Sequence, residues 1–305
     1  MKKQLHADVH FLTKKSFAPL LAANPYLSKI HVLENSLAET IQNLRAEKFD
    51  VVIDLHHNFR TFWLKLFCGA PSFSFKKLNI EKWLLVNFKI NKLPKVHIVD
   101  RYLETCAPLG VQNDGQGLDY FFSPDTTIPS EIFAKQQQPF IAWVIGAKFQ
   151  TKKYPVQKVV QTLKRSDFPD FRVVLLGGKE DIQEAAAIQQ AYDGPLELIN
   201  LCGKLSLNES AKLVETATAV IANDTGLMHI AAAFKKPILS VWGNTVPDLG
   251  MTPYYGHHHI PSQIAEVKGL SCRPCSKIGF QKCPKGHFKC MLENELPLNF
   301  LRENL

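Results

Sequence analysis

The sequence lacks any long apolar run. Its most apolar stretches, at 140–145 and 237–242, are only as long as a β-strand, whereas a helix that crosses a membrane needs about 20 such residues. The N-terminus starts with basic residues, but no apolar segment follows them, which argues against a signal peptide. We therefore expect a globular, cytoplasmic protein.

The sequence also lacks a plausible disulfide framework. It has seven cysteines, and an odd number with three scattered members, Cys68, Cys106 and Cys202, is typical of a reducing compartment. The net charge is +8, yet there is no arginine-rich tail and no aromatic-plus-basic pattern of an RNA-binding surface. Basic proteins favour anionic partners such as phosphorylated small molecules or an anionic membrane surface, but from the charge alone an ordinary solvated surface is the favoured interpretation. We expect no nucleic-acid partner.

Strand-like and helix-like segments alternate along both halves of the chain. This order predicts α/β architecture with parallel, doubly wound sheets. In the first half we predict strands at 7–13, 29–33 and 49–55, and helices at 17–23, 36–46 and 59–67. In the second half we predict strands at 140–145, 171–176, 197–200, 219–222 and 238–241, and helices at 156–164, 179–191, 207–216, 226–234 and 298–301.

The length of 305 residues suits two domains of about 150 residues each. The region 112–129 has turn-forming residues and no helical period, so we interpret it as a linker with one short strand at 118–122. The predicted domains are 1–122 and 123–305.

The segment Asn-Asp-Thr-Gly-Leu-Met-His at 223–229 is the strongest candidate site. A predicted strand runs into Asn223, Asp224 and Thr225 can cap the next helix, and Gly226 lets a ligand approach the backbone. Unpaired amides at a helix start, with the positive end of the helix dipole, suit a diphosphate. His229 follows one turn later. The alternative is an ordinary N-cap before a helix whose small residues only pack.

The same stretch, followed by Pro-Ile-Leu-Ser-Val-Trp-Gly-Asn-Thr at 237–245, resembles the donor-site signature of glycosyltransferase family 9, the ADP-heptose–lipopolysaccharide heptosyltransferases. Four further segments resemble that family in the same order along the chain: 49–55, 146–155 with its Lys-Lys-Tyr-Pro element, 175–181 and 200–206.

The resemblance implies a GT-B fold, in which two doubly wound Rossmann-like domains face each other across a cleft. It implies inverting transfer of a sugar, heptose from ADP-heptose, to a lipopolysaccharide core, with no required cofactor and no catalytic metal. The donor-binding residues that it implies are Lys152 for the phosphates, Asp224, Thr225 and Gly226 for phosphates and sugar, Leu227, Met228 and His229 for the pocket wall, and Asp181 or Glu180 for the ribose.

Acceptor contacts are expected from the first domain. The candidates follow predicted strand ends or open predicted helices, and they are Asn58, Arg60, His97 and Arg101. Basic side chains suit a phosphorylated core, and salt bridges on the surface are the alternative. A lipid-linked acceptor and a basic surface also predict peripheral contact with the inner face of the membrane.

The chain departs from the family at its start. The family begins with a strand and a Ser-x-x-Gly-Asp turn whose Asp is the general base, whereas residues 1–13 resemble the end of the first helix and the second strand. We expect the first strand and the catalytic Asp to be absent, so no base is assigned. Asp54 is a stand-in for which a structural role is favoured. A non-catalytic nucleotide-sugar-binding or scaffold protein is therefore the alternative function.

The tail carries four thiols in 19 residues, Cys272, Cys275, Cys283 and Cys290. A Cys-x2-Cys pair is a good half of a structural zinc site, although the second pair is spaced more widely than in common zinc knuckles. The alternative is a set of packed, inert thiols. A metal role is less expected for the histidines at 257–259.

Overall fold

A computed structural model describes residues 1–33, 36–128, 139–166 and 171–304. The chain forms two compact units. The N-terminal unit comprises Met1–Asn79, Val96–Asp114 and Phe121–Pro124, and the C-terminal unit comprises Ile80–Lys95, Gly115–Tyr120 and Asp125–Leu305. The domain boundary at 122/123 stays a prediction.

The N-terminal unit contains two pairs of parallel strands in its described part. β1 (His10–Thr13) pairs with β2 (Lys29–Val32), and β3 (Val52–Asp54) pairs with β4 (Ser72–Ser74). The helices of this part of the chain are α1 (Lys2–Leu5), α2 (Leu37–Ala46), α3 (Phe59–Cys68), α4 (Asn79–Phe88), which continues into the other unit, and α5 (Ile98–Glu104).

This arrangement differs from the single doubly wound sheet that the sequence predicts for the first half. The strands are shorter than predicted, at three or four residues each, and no described strand joins the two pairs. A 3₁₀ helix, Lys15–Leu20, replaces the helix predicted at 17–23. Pro19 lies inside it, and proline lacks the backbone N–H that an α-helix needs there.

The C-terminal unit is built on a six-stranded parallel sheet. Its strands are β5 (Phe140–Val144), β6 (Arg172–Leu176), β7 (Leu198–Asn200), β8 (Ala219–Asn223), β9 (Ile238–Trp242) and β10 (Ser262–Glu266), in the spatial order β7-β6-β5-β8-β9-β10. The helices after β5 are α6 (Val156–Arg165), α7 (Ile182–Ala191), α8 (Leu207–Thr216), α9 (Gly226–Ala233), α10 (Lys289–Leu292) and α11 (Leu298–Asn304). This is the doubly wound order. Strands are added on one side of β5 as far as β7, and from β8 onward they are added on its other side.

The core of this unit lies on both faces of the sheet. Ile141 and Trp143 of β5 belong to one apolar cluster, whereas Phe140, Ala142 and Val144 belong to the other. Alternate side chains of a strand point to opposite faces, so both faces must be covered. This explains why these strands are continuous apolar runs, and it confirms the strand pattern predicted for the second half.

Two details differ from the sequence-based expectation. No strand forms at 118–122. The carbonyl of Leu118 accepts a hydrogen bond from the Lys235 ammonium (3.1 Å), and the Tyr120 hydroxyl donates to the Asn208 side chain (2.6 Å). Pro129, the end of the predicted linker, lies outside the described residues. The edge strand β10 was not predicted, because its sequence is half polar.

No helix in the described ranges combines the length and apolar character that crossing a bilayer requires.

Candidate functional site

The reversal of strand order in the C-terminal sheet creates the candidate site. β5 and β8 are neighbours in the sheet. The chain continues from β5 to β6 toward one edge of the sheet and from β8 to β9 toward the other edge. Ligands of doubly wound sheets bind outside the carboxyl ends of the strands at such a point. The loop after β5 carries Lys152, and β8 leads directly into the segment 223–229.

Asn223 joins these two strand ends. Its side-chain amide donates to the carbonyl of Ile145 (2.8 Å), and its oxygen accepts from the backbone N–H of Tyr154 (3.2 Å). The residue is 1% exposed, where a lost hydrogen bond costs most. Asn223 therefore fixes the loop that carries Lys152 against the start of α9.

Lys152 and Asp224 form an ion pair at this point, with 2.6 Å between Nζ and Oδ2. The same carboxylate oxygen accepts a hydrogen bond from the Thr245 hydroxyl (3.0 Å). The buried Arg273 donates in turn to the carbonyls of Thr245 (3.0 Å) and Gly243 (2.6 Å). A chain of polar contacts thus holds a lysine and a carboxylate beside the helix start. Thr245 and Arg273 were not among the predicted site residues.

The start of α9 faces open space. Thr225 is the N-cap residue, and its side chain makes no capping bond. A Cβ added to Gly226 would meet no atom within 4 Å, so this glycine keeps the backbone accessible. The first amides of a helix have no intrahelical partner. An anionic group placed here would meet those amides, the helix dipole and Lys152 together.

The structure does not bring every predicted pocket residue to this opening. Met228 is fully buried in the apolar cluster on the α8–α9 side of the sheet, so the prediction that its side chain lines the pocket is wrong. It falls on the core stripe of α9 with Ala231 and Ala232. Leu227 packs partly against the same cluster, and His229 is partly exposed.

Asp181 holds a turn and is not open to solvent. Its Oδ2 accepts from the backbone N–H of Gly178 (2.8 Å), its Oδ1 pairs with Lys153 (2.6 Å), and it is 2% exposed. Burial lowers the pKa of Lys153, but its bonds to Asp181 and Glu184 raise that pKa above its usual value. A ribose could contact the Asp181 carboxylate only if the ion pair with Lys153 separated. Glu180, by contrast, is exposed.

A cavity of about 430 Å³ lies next to this group. Its lining includes Lys153, Tyr154 and Glu184 on one side and the tail segment around Cys283 on the other. None of the residues 223–229 lines it. The volume alone therefore does not identify the diphosphate position, and the polar contacts around Lys152 are the better guide.

Three of the four predicted acceptor residues have side chains that make hydrogen bonds within the N-terminal unit. Asn58 and Thr61 form a capping box at the start of α3, and His97 accepts from the Val99 amide at the start of α5 (3.2 Å). Arg101 is 7% exposed; it donates to the Lys76 carbonyl (2.7 Å) and packs over the Phe75 ring.

The Arg101 guanidinium is buried and bonded within the protein in this structure, and its acceptor-binding role stays a prediction. Asn58 and His97 are partly exposed caps, and only Arg60 is an exposed base of the kind predicted.

Asp54 lies at the end of β3 and is 4% exposed. It accepts from the amides of His56 (3.0 Å) and His57 (2.7 Å) and pairs with Lys65 (3.0 Å). Burial raises the pKa of Asp54, but these partners outweigh it and the pKa is lowered. A buried carboxylate that is hard to protonate suits a structural role and not general-base catalysis.

The four tail cysteines are free thiols. Cys275 donates to the Cys272 carbonyl (3.0 Å), and the Cys272 sulfur lies 3.9 Å from His287 Nε2. Burial raises the pKa of Cys290 to about 12, and burial with the neighbouring Cys272 raises that of Cys275 to about 11. Within the described residues, no three of these sulfurs lie mutually within 4.8 Å. Zinc binding at the four cysteines stays a prediction.

The sequence of the chain matches the model of a known protein family. The model described as glycosyltransferase family 9 (heptosyltransferase) matches residues 37–278. The chain belongs to glycosyltransferase family 9. The matched range includes the loop that carries Lys152 and the whole segment 223–229.

Curated heptosyltransferases are similar over much of the chain. Lipooligosaccharide heptosyltransferase 2 of Haemophilus influenzae is 28% identical over 66% of this chain and 62% of its own length. Lipopolysaccharide heptosyltransferase 2 of Escherichia coli K12 is 24% identical over 70% of this chain and 65% of its own length. The chain thus spans less than two thirds of these relatives. Lipopolysaccharide heptosyltransferase 1 of Pseudomonas aeruginosa is 28% identical over 86% of this chain and 72% of its own length.

Solved structures of this glycosyltransferase family share the fold. E. coli ADP-heptose lps heptosyltransferase II superposes with a TM-score of 0.67 at 21% identity, covering 99% of this chain and 92% of that one. E. coli heptosyltransferase WaaC with ADP gives 0.66 at 17% identity, covering 100% and 92%. The predicted α/β GT-B class is confirmed.

Proposed function

We propose that this family 9 chain transfers heptose from ADP-heptose to a lipopolysaccharide core. The observation that carries the proposal is the open start of α9 beside Lys152. A diphosphate bound there would receive hydrogen bonds from helix amides and the charge of a lysine. Relatives that are named heptosyltransferases, and a neighbour solved with ADP, support this choice of donor.

The transfer is proposed to be inverting and independent of a metal at the donor. An acceptor hydroxyl oxygen bonds to the anomeric carbon, the bond from that carbon to the diphosphate oxygen breaks, and ADP leaves with the electron pair. A base takes the hydroxyl proton; no residue described here is assigned to that step. Lys152 and the α9 amides stabilise the negative charge on the departing diphosphate, which is the role that a divalent ion fills elsewhere.

The test is a transfer assay with ADP-heptose and a purified lipopolysaccharide core that carries the accepting sugar but lacks the heptose to be added. We expect ADP release, a product heavier by one heptose, and an anomeric configuration opposite to that of the donor. Asp224→Ala should abolish turnover and the rise in melting temperature caused by ADP, because the carboxylate anchors Lys152. Addition of a chelator should leave the rate unchanged if no metal acts at the donor.

The second candidate is the non-catalytic, nucleotide-sugar-binding protein. The observation that favours it is the state of Asp54, whose carboxylate is buried and ion-paired. The same assay separates the two functions. ADP-heptose binding that depends on Asp224, without any product, would establish the binding protein and contradict transfer by this chain.

We also propose that α3 contacts the inner face of the cytoplasmic membrane. One stripe of this helix is apolar and exposed: Phe59 is 77% exposed, Phe62 51%, Leu66 56% and Phe67 46%. These positions repeat with the helical period, so they share a face, while Leu64 is buried. Arg60 is exposed on the same helix. Aromatic residues with flanking bases are typical of helices that lie in a membrane interface.

Vesicle sedimentation tests this contact. The chain should bind vesicles that contain anionic lipid, and Phe62→Ser should reduce that binding severalfold. Ile182→Ser is the matched control, because Ile182 is also about half exposed but lies alone at the start of α7. Equal binding by all three proteins would contradict the proposal, and so would equal losses in the two variants.

A further inference from the structure

Two histidines and a glutamate meet in the N-terminal unit. Register places His10 of β1 beside Lys29 of β2, and alternate residues of a strand share a face. His31 therefore lies on the same face, two residues along. Glu47 follows directly after α2 as its C-cap. Three elements that are distant in sequence thus each bring one side chain to a single point.

The spacing of the three groups fits one metal ion. His10 Nδ1 lies 3.1 Å from His31 Nε2 and 3.8 Å from Glu47 Oε2, and His31 Nε2 lies 3.9 Å from Glu47 Oε1. Ligands bound tetrahedrally at about 2.1 Å are about 3.4 Å apart. The observed distances bracket that value. Of the described histidine, cysteine and acidic side chains, these three form a group whose ligand atoms all lie within 4.8 Å of one another.

The surroundings are those of a partly enclosed site. The side chains are 17%, 10% and 22% exposed for His10, His31 and Glu47, so one side remains open to a water ligand. The Phe49 ring lies edge-on against both imidazoles, with centroids 5.2 and 6.2 Å away. An apolar wall limits the directions in which the two rings can turn.

Lys29 is the competitor for this site. Its ammonium pairs with Glu47 Oε1, and a cation beside a metal ion is unfavourable. The lysine side chain is 54% exposed, so it can move into solvent or remain on one carboxylate oxygen while Oε2 binds the ion. The pair therefore weakens metal binding without preventing it.

We propose that His10, His31 and Glu47 bind a divalent transition-metal ion of the zinc class. Two imidazoles and one carboxylate suit zinc, cobalt or nickel, whereas magnesium and calcium prefer oxygen ligands throughout. The ion links β1, β2 and the end of α2. The site is independent of the proposed transfer reaction.

The test is a cobalt(II) and zinc(II) titration of the full chain. A background with Cys272→Ser, Cys275→Ser and Cys283→Ser leaves only the buried Cys290 of the four tail thiols, so that charge-transfer absorption of a thiolate site does not mask the weaker bands of imidazole ligation. In this background we expect one ion per chain, with a spectrum free of thiolate bands. His31→Ala or His10→Ala should weaken binding by about 100-fold or more. His56→Ala, which removes an exposed histidine of the same unit, should bind like the background.

Lys29→Met keeps the proposal falsifiable if the histidine variants fold poorly. Removal of the competing ammonium should tighten cobalt binding by about threefold, the worth of an exposed ion pair. Binding that is unchanged in His31→Ala, or unchanged or weaker in Lys29→Met, would overturn the proposal. Melting temperatures without metal show whether each variant is folded before titration.

Discussion

The two units differ most in how much they bury. The described part of the N-terminal unit has five buried apolar side chains, each still 4–8% exposed: Leu44, Leu64, Phe75, Cys106 and Val111. The C-terminal unit covers both faces of a six-stranded sheet with two large apolar clusters. The candidate diphosphate site belongs to the well-packed unit, where strand ends and loops are fixed by buried polar contacts. A firmly positioned helix start is what electrostatic recognition of a phosphate needs.

The largest expected effect is on stability within each core. Leu175→Ala on β6 removes a fully buried side chain between packed layers, so we expect a loss of about 4 kcal/mol. Leu44→Ala on α2 is 6% exposed before substitution and should cost about 2 kcal/mol, because a thinly packed site collapses more readily. Hydrogen exchange of peptides from each unit measures the two losses separately. Equal losses would remove the contrast between the units.

The next effect concerns two asparagines. Asn223→Ala leaves buried backbone groups of Ile145 and Tyr154 without their partner and should cost about 3 kcal/mol. Asn58→Ala removes a partly exposed helix cap and should cost about 1 kcal/mol. Only Asn223→Ala should also weaken ADP binding. A similar loss of ADP affinity in Asn58→Ala would show that the site is not confined to the C-terminal unit.

A smaller effect on stability, with a large effect on binding, is expected for Gly226→Ala. The added Cβ meets nothing within 4 Å, and alanine is the better helix former. The protein without ligand should therefore be as stable as before or more stable, by up to about 1 kcal/mol. ADP should bind more weakly, because the methyl group occupies the space that a phosphate would enter. Unchanged ADP affinity with raised stability would place the diphosphate elsewhere.

The smallest effect is a pH dependence. Burial raises the pKa of Glu184, but its bonds to Gln150 and Lys153 outweigh burial and leave the pKa below the usual 4.5. A carboxyl with a lowered pKa adds stability above its unfolded value, and that stability is lost as the pH falls through the folded pKa. Glu184→Gln should therefore flatten the decline in melting temperature below about pH 4.5. An unaltered acid limb would show that this carboxylate contributes nothing.

The sequence predicts the C-terminal unit better than the N-terminal one, for physical reasons. Strands buried on both faces are continuous apolar runs, so β5, β6, β8 and β9 were found within one residue at each end. The edge strand β10 has no such run and was missed. In the N-terminal unit the strands are short and partly exposed, and local pattern does not show how they pair.

The candidate site, like the fold, was predicted only where a local sequence pattern indicates it. The segment 223–229 and Lys152 were predicted from their motif, and the structure brings Lys152 and Asp224 together. The helical period of α9 already placed Met228 on the stripe of Ala231 and Ala232, so its burial could have been predicted. The burial of Arg101 depends on Phe75 and Lys76, far from it in sequence. No local pattern reveals such a contact.

The most direct test of a diphosphate site between the ends of β5 and β8 is calorimetric titration with ADP. The chain, Lys152→Met and Lys148→Met are compared; Lys148 lies exposed on the same loop as the control. We predict that Lys152→Met weakens ADP binding by about 10- to 100-fold, the worth of one hydrogen bond to a charged group, and that Lys148→Met binds normally. Normal binding by Lys152→Met, or an equal loss in Lys148→Met, would contradict the site.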